Sequence, residues 1–429
     1  MVNVQRLWMG HRHKLLPVAV GLLSVSCLNR LLKEFVRLIW GSGNSGAIDL
    51  KIFYEAVQLW FSGVPTYAEL PSAVYPPASY LMMWPFLGWL AVPPARILWA
   101  VMTAIALVWL IYLVIQESHA ETWAEKALIG LLPIFYATRT GIGNGQLVVF
   151  LMPSLIAGLL LFHRCAQLPQ RLLAAAMVVG ALIKPNVTAP FFWMVMFASR
   201  GQWYLPNVFV LVGYGLLTLW AAAFQDASAI ALMRQWFSQA EVGAEFGAQT
   251  GGYANQNSLM SWLEANTNLD GHPLLTFIGD FELNTPLTLT VLFVLGVWVL
   301  WHRRVDPWLL LGVCAIAARL WTYHRIYDDI LILLPTIAAF RLFKQASDSS
   351  IASTSRPSEA AEYAKAYWSG LVFTLAYLAA VMPANLLAAA PIISSLFTAS
   401  QVAIWLSLGI FLGVKAWQER VTVARSLSA

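Results

Sequence analysis

"RILWAVMTAIALVWLIYLVIQ", residues 96–116, carries one arginine at its start, one amide at its end and no charge between them. A run of about 20 apolar residues matches the ~30 Å hydrocarbon core of a bilayer when it is wound as a helix. Lipid offers no partner to a backbone N–H or C=O, so such a segment is helical rather than an open strand. Comparable runs recur along the whole chain and predict spans at 15–38, 96–116, 126–138, 147–164, 172–184, 187–200, 204–223, 286–302, 307–321, 329–344, 367–389 and 393–414. Only 11% of the 429 residues are charged while 59% are hydrophobic. A soluble domain holds about 25% charged residues, so this chain has too few charges to cover a surface in water. The expected fold class is an all-α polytopic membrane protein of about 12 transmembrane helices, organised as one integral-membrane domain over 1–429.

The net charge of +5 fits loop bias better than a nucleic-acid surface, and no nucleic-acid partner is expected. With the N-terminus in the cytoplasm, "HRCAQLPQR" (163–171), "SRGQ" (199–202), "WHRR" (301–304), the stretch from Arg341 to Lys365 and the tail "KAWQERVTVAR" all fall inside, as the positive-inside rule requires. The acidic "QESHAETWAEK" (116–126) fits this register poorly. Four stretches then face outward: 39–95, 139–146, 224–285 and 322–328. The short "SYLMMWPFLGWLAV" (79–92) is expected to be interfacial or re-entrant, because counting it as a span inverts every later loop. Residues 345–366 read as a flexible cytoplasmic linker, followed by a C-terminal helical pair. Cys27, Cys165 and Cys314 are far apart and lack metal spacing, so neither a disulfide framework nor a metal site is expected. No cofactor is expected either.

The first outer stretch contains "GAIDLKIFYEAVQLWFSGVPTYAELPSAVYPP" (46–77). Leu50, Phe53, Tyr54, Val57, Trp60, Phe61 and Val64 recur at steps of three and four, with Lys51, Glu55, Gln58 and Ser62 opposite. That pattern predicts an amphipathic helix lying along the membrane surface. Asp49 stands at its start. As an N-cap it would contribute about 1 kcal/mol; alternatively it is a proton acceptor held at the interface by the helix behind it.

Several strings occur in an order that resembles one family. They are Asp49, the aromatic pair Phe53 and Tyr54, Gly63 with Tyr67, Tyr75-Pro76-Pro77, "GNGQ" (143–146), Lys184 of "ALIKP", "NQNSL" (255–259), and His324 with Tyr327. Together they resemble the GT-C-fold glycosyltransferases that use polyprenyl-phosphate sugars, and among these the mannosyltransferase-like GT87 family. The resemblance implies a sugar donor linked through one phosphate to an isoprenoid lipid, a lipid or glycan hydroxyl as acceptor, and membrane lipids as surroundings. It places the reaction on the extracytoplasmic face of the cell membrane, with both termini cytoplasmic.

Such a transfer needs one carboxylate to take the acceptor proton, for which Asp49 is the candidate. It also needs cations where the departing phosphate gathers charge. Outward-facing basic residues are few: Lys51, Arg96, Arg139, Lys184, Arg234, His324 and Arg325. The expected donor- or substrate-binding set is Lys51, Arg139, Gln146, Lys184, Asn257, His324, Arg325 and Tyr327. Arg139 precedes "GIGNGQ", whose glycines permit close backbone approach to a phosphate; no strand precedes it, which excludes a dinucleotide fold. Asp328 and Asp329 are expected to cap the following helix. The long stretch 224–285 is expected to close over the site as a lid. A transporter or flippase, or an O-antigen-type ligase or polymerase, is the competing reading. The first lacks the internal repeat that such folds show, and the second would place more than Arg234 and His272 in the large outer loop.

Overall fold

A computed structural model describes residues 2–43, 46–199, 204–250, 284–321, 325–352, 359–381 and 391–428. Among these residues every regular element is helical. The chain opens with α1 (Val2–Trp40), then α2 (Ile48–Phe61), α3 (Thr66–Glu69), α4 (Pro77–Leu87) and α5 (Val92–Glu117). It continues through α6 (Trp123–Leu131), α7 (Tyr136–Asn144), α8 (Leu147–Arg164) and α9 (Leu168–Ala181). The short α10 (Pro185–Thr188) and α11 (Phe192–Phe197) lead to α12 (Tyr204–Ala222) and α13 (Ala229–Thr250). Last come α14 (Asn284–His302), α15 (Pro307–Leu320), α16 (Leu333–Ala352), α17 (Glu359–Val381) and α18 (Pro391–Ser428).

Helices α5, α8 and α12 are each long and apolar enough to cross a membrane, and Leu168–Ala181, Leu289–His302, Pro307–Leu320 and Tyr367–Val381 are shorter apolar helices. Val101, Ile105 and Val108 of α5 and Leu211, Leu216 and Leu219 of α12 are exposed, each row an oily surface of the kind that lipid covers and water does not tolerate.

Two expected spans are corrected. Residues 126–138 break into α6, a 3-10 turn at Leu132–Ile134 around Pro133, and α7. Nine residues of α6 rise only about 14 Å, so that piece does not cross a bilayer alone. Residues 187–200 likewise divide into α10, a 3-10 turn at Ala189–Phe191 and α11, since Pro185 and Pro190 remove donors and force the breaks. Of the linker expected over 345–366, helix continues through Ala352 and resumes at Glu359, and 353–358 lie outside the described residues.

The stripe of α2 is real, but its partner is protein. Leu50, Phe53, Ala56, Val57 and Trp60 are all buried, and Trp60 stacks on Tyr80 of α4 at 4.7 Å while donating to the Ala221 carbonyl of α12. Its polar side is engaged too: Tyr54 and Gln58 donate to the carbonyls of Leu90 and Leu87 at the end of α4. Helix α4 is 11 residues long and mostly buried, too short to span.

The ends of the helical body differ in chemistry. At one end Arg96, opening α5, donates to the Leu38, Gly41 and Arg37 carbonyls at 2.6, 2.9 and 3.2 Å, satisfying the end of α1. At the other end Arg164, closing α8, makes two bonds of 2.6 and 2.5 Å to Glu117, closing α5. Arg341 joins the Glu117 carbonyl and pairs with Asp306 at 2.7 Å, and Lys344 reaches Glu121 and Glu125. The acidic 116–126 stretch thus neutralises the basic residues gathered at that end.

Helix α7 is crowded on several sides. A Cβ on Gly141 would stand 3.2 Å from Tyr327 Cβ, and one on Gly143 within 2.0–2.3 Å of the Glu34 and Arg37 side-chain tips. Gly145 has φ +77° and would place a Cβ 2.5 Å from Leu50 Cβ. The glycines of "GIGNG" therefore let α1, α2 and the 326–332 segment close on α7. Gly145→Ala should lower stability by about 1–3 kcal/mol through strain and overpacking. Gly180→Ala, where a Cβ meets nothing within 4 Å, should leave stability unchanged or raise it slightly. Thermal unfolding of the two variants in detergent checks the contrast.

Candidate active site

The site is assembled where α2 begins. Ala47 adopts a left-handed conformation, φ 53° and ψ 36°, an arrangement that an L-residue holds only when its surroundings enforce it. Here its N–H donates to the Gly143 carbonyl at 3.0 Å, fastening the first turn of α2 to the end of α7. Ala47 is the N-cap, and no side-chain capping bond is present. Asp49, two residues into the turn, is therefore not the cap of its helix. Its carboxylate turns toward α7 and α8, where the Gln146 and Asn144 side chains hydrogen-bond to it and the charges of Arg325 and Lys184 act on it. Its Oδ2 is enclosed and has no hydrogen-bond partner. Burial pushes the Asp49 carboxyl above the usual carboxylate range, against the opposing pull of Gln146, Arg325, Lys184 and Asn144.

Lys184 lies between α9 and α10, at 4% exposure. Pro185 breaks the helix there and opens the backbone, a departure that apolar surroundings tolerate only inside protein. Its Nζ donates to Asp328 Oδ1 at 2.6 Å and to Gln146 Oε1 at 3.5 Å, and sits 4.9 Å from the centroid of the Tyr327 ring. Asp328 and Tyr327 belong to the 3-10 segment Ile326–Ile332, which Arg325 opens. Burial first, and then the charges of Asp49 and Asp328, hold the Tyr327 and Tyr75 hydroxyls well above their usual range. Both phenols therefore stay neutral donors.

The structure thus brings together Asp49, Gln146, Lys184, Arg325 and Tyr327 from the expected set. It separates two others. Lys51 points away from Asp49, donating to the Gly43 carbonyl at 2.6 Å in an exposed position. Arg139 is buried on α7, where its charge acts on Cys27 of α1. His324 and Asn257 lie outside the described residues. The capping role expected of Asp328 and Asp329 is corrected, because Asp328 pairs with Lys184 and Asp329 with the buried Arg319 at 2.5 Å. Asp328, Asn144 and Arg37 are site residues that sequence reasoning passed over. Asn144 stands inside "GNGQ", but nothing local marks an amide 95 positions past Asp49 as its neighbour.

From the long outer stretch, α13 docks beside the site. Trp236 donates to the Val74 carbonyl and Gln239 to the Pro71 carbonyl, at 2.9 and 2.5 Å, next to Tyr75. Residues 251–283 of the expected lid fall outside the description. Taken together, an ionisable acceptor stands with two cations and two neutral phenols, an arrangement suited to removing a proton next to a departing anion.

No curated protein and no solved structure matches the chain. The family model of glycosyltransferase family 87 matches residues 73–326, which takes in Arg139, Gln146, Lys184, Asn257, His324 and Arg325, while Asp49 and Lys51 precede it and Tyr327 follows it. With more than half its length matched, and with the helical architecture described above, the chain belongs to glycosyltransferase family 87.

Proposed function

We propose that the protein transfers a hexose, with mannose the first candidate, from a polyprenyl-phosphate donor to a hydroxyl of a lipid or glycan acceptor. In this reading the site opens to the extracytoplasmic face and both termini are cytoplasmic. Family membership supports an enzyme over a transporter or flippase. The observation that carries the mechanism is the Asp49 carboxylate held beside Gln146 and Asn144, with the charges of Arg325 and Lys184 acting on it.

The acceptor oxygen forms a bond to the anomeric carbon while the bond from that carbon to the phosphate oxygen breaks. The electron pair leaves with the polyprenyl phosphate, and the acceptor proton passes to Asp49. A single base on the side opposite the leaving group corresponds to inversion, with no covalent intermediate on the protein. Arg325 and Lys184, together with His324, offset the charge that gathers on the phosphate. Lys184 is already matched by Asp328, so its contribution is a fixed dipole held ready rather than an unbalanced cation. Tyr327, Tyr75 and Gln146 supply neutral donors to sugar or phosphate oxygens.

Asp49→Asn should abolish transfer, a fall of at least about 10²–10⁴-fold for loss of a general base, while the protein inserts and folds. The assay is release of polyprenyl phosphate from a panel of polyprenyl-phosphate hexoses by purified protein, with an extract of membrane glycolipids as acceptor. Near-normal turnover by this variant rejects the base assignment, and no turnover of any donor by the wild type rejects the donor class.

The raised Asp49 value has two consequences of opposite sign. Only the ionised form accepts a proton, so the rate should climb with pH through a midpoint above the ordinary carboxylate range. Stability runs the other way, because the folded state holds this proton at pH values where the unfolded chain has released it. Stability contributed by the site is present below the unfolded value and is lost as pH rises through the folded one. Asp49→Asn should therefore unfold at a higher temperature than the wild type at neutral pH, and an equal or lower midpoint speaks against a desolvated carboxylate.

Lys184→Met removes from the buried Asp328 the ammonium that pairs with it at 2.6 Å and should lower stability by roughly 3–5 kcal/mol as well as lowering transfer. Adding Asp328→Leu should recover most of that stability without recovering transfer. Paired measurements of unfolding midpoint and kcat separate the structural from the catalytic share, and recovery of both by the double variant removes Lys184 from the reaction.

A further inference from the structure

Two amides act on Asp49, and each has a cation at its own oxygen. Lys184 Nζ stands 3.5 Å from Gln146 Oε1. On the other side Arg37, in the last turn of α1, donates through Nη2 to Asn144 Oδ1 at 3.0 Å and to the Thr140 carbonyl at 3.3 Å. A primary amide whose oxygen accepts from a guanidinium has only its NH2 left to offer, so its orientation is fixed. Asn144 must then present N–H, and not C=O, to the carboxylate.

Gly143 is the residue that allows this reach. Any Cβ there would stand 2.2 Å from Arg37 Nη2 and 2.0 Å from Glu34 Oε2, so only a bare Cα lets the guanidinium lie across α7. Glu34 pairs with Arg37 at 2.7 Å and holds it from the far side. Both α1 residues stand before the stretch that the family model matches, and both belong to a helix end that Arg96 also secures.

We propose that Arg37 is a positioning residue for the transfer reaction, acting through Asn144 to orient and hold ionised the carboxylate of Asp49. This rests on the reading of Asp49 as the base. The cation-to-amide-to-carboxylate line from α1 mirrors the one through Gln146. The other charged groups acting at Asp49 are Arg325 and Lys184, and Asp49 in turn acts on Tyr327 and Tyr75 beside Asp328. None of these belongs to α1, so variants of Arg37 leave them in place.

The test uses full-length protein and two variants that reach the same bond differently. Arg37→Gln removes the guanidinium. Gly143→Ala pushes it aside at the tip of a flexible side chain while keeping the α7 backbone, and alanine favours the helix. Both should lower kcat at neutral pH about tenfold, the scale of one lost hydrogen bond to a charged group, with the KM for polyprenyl-phosphate mannose unchanged. Both should also move the acid limb of the pH–rate profile to higher pH. Combining Arg37→Gln with Asn144→Leu should be no worse than Asn144→Leu alone.

A readout independent of turnover is the infrared carboxyl band of Asp49, assigned by difference against Asp49→Asn, whose titration should shift upward in both variants. If the profile and the band titrate as in the wild type, the inference is overturned even when Asp49→Asn is inactive. If the band shifts but Asp49→Asn remains active, the positioning stands and the base assignment fails.

Discussion

The buried pair of Lys184 and Asp328 is the interaction on which the rest of the site depends. The two residues are 144 positions apart and meet at 2.6 Å with almost no exposure. An ammonium and a carboxylate withdrawn from water are each strongly disfavoured alone, and they persist only when matched and hydrogen-bonded. That requirement fixes the break between α9 and α10 against the 326–332 segment. Tyr327 then lies against the lysine, and Gln146 completes its coordination at the start of α8. Asp49 is placed last, by a different fastening: the Ala47 N–H on the Gly143 carbonyl.

Helix α7 is the element that these fastenings share. It carries Asn144, supplies the carbonyl that seats α2, and meets α1 and the 326–332 segment along glycine-lined faces. A chain with larger residues at 141 and 145, where a Cβ would meet Tyr327 Cβ and Leu50 Cβ, would hold the same helices further apart. The amides would then no longer reach the carboxylate, so close packing and site geometry are one constraint. At the far end of the body, Glu117, Arg164, Asp306, Arg341 and Lys344 tie the other ends of α5, α8, α15 and α16 together. That layer sets the spacing of the helices whose opposite ends carry the site.

Asp49 illustrates a general tension. A carboxylate enclosed among apolar neighbours raises its own proton affinity, which suits a base and weakens the fold that encloses it. The surrounding groups moderate this effect without removing it: two amides, and two cations whose charges act on the carboxylate.

The helical membrane class was readable from the sequence because the length and polarity of an apolar run are local properties, and so was Asp49, a lone acid opening an aromatic-rich helix. The breaks at Pro133 and Pro185 were written in the chain too, but their effect depends on what surrounds them, and the apolar runs alone read as continuous spans. The companions of Asp49 were less accessible. Lys51, two residues away, is turned roughly 200° around the helix and serves the Gly43 carbonyl, whereas Asn144, Lys184 and Arg325 come from other elements altogether. The sequence by itself determined that a carboxylate and several cations would share one end of a helical membrane protein. Only the tertiary structure decided which of them meet, because a buried charge selects its partner by geometry across the fold and not by proximity along the chain.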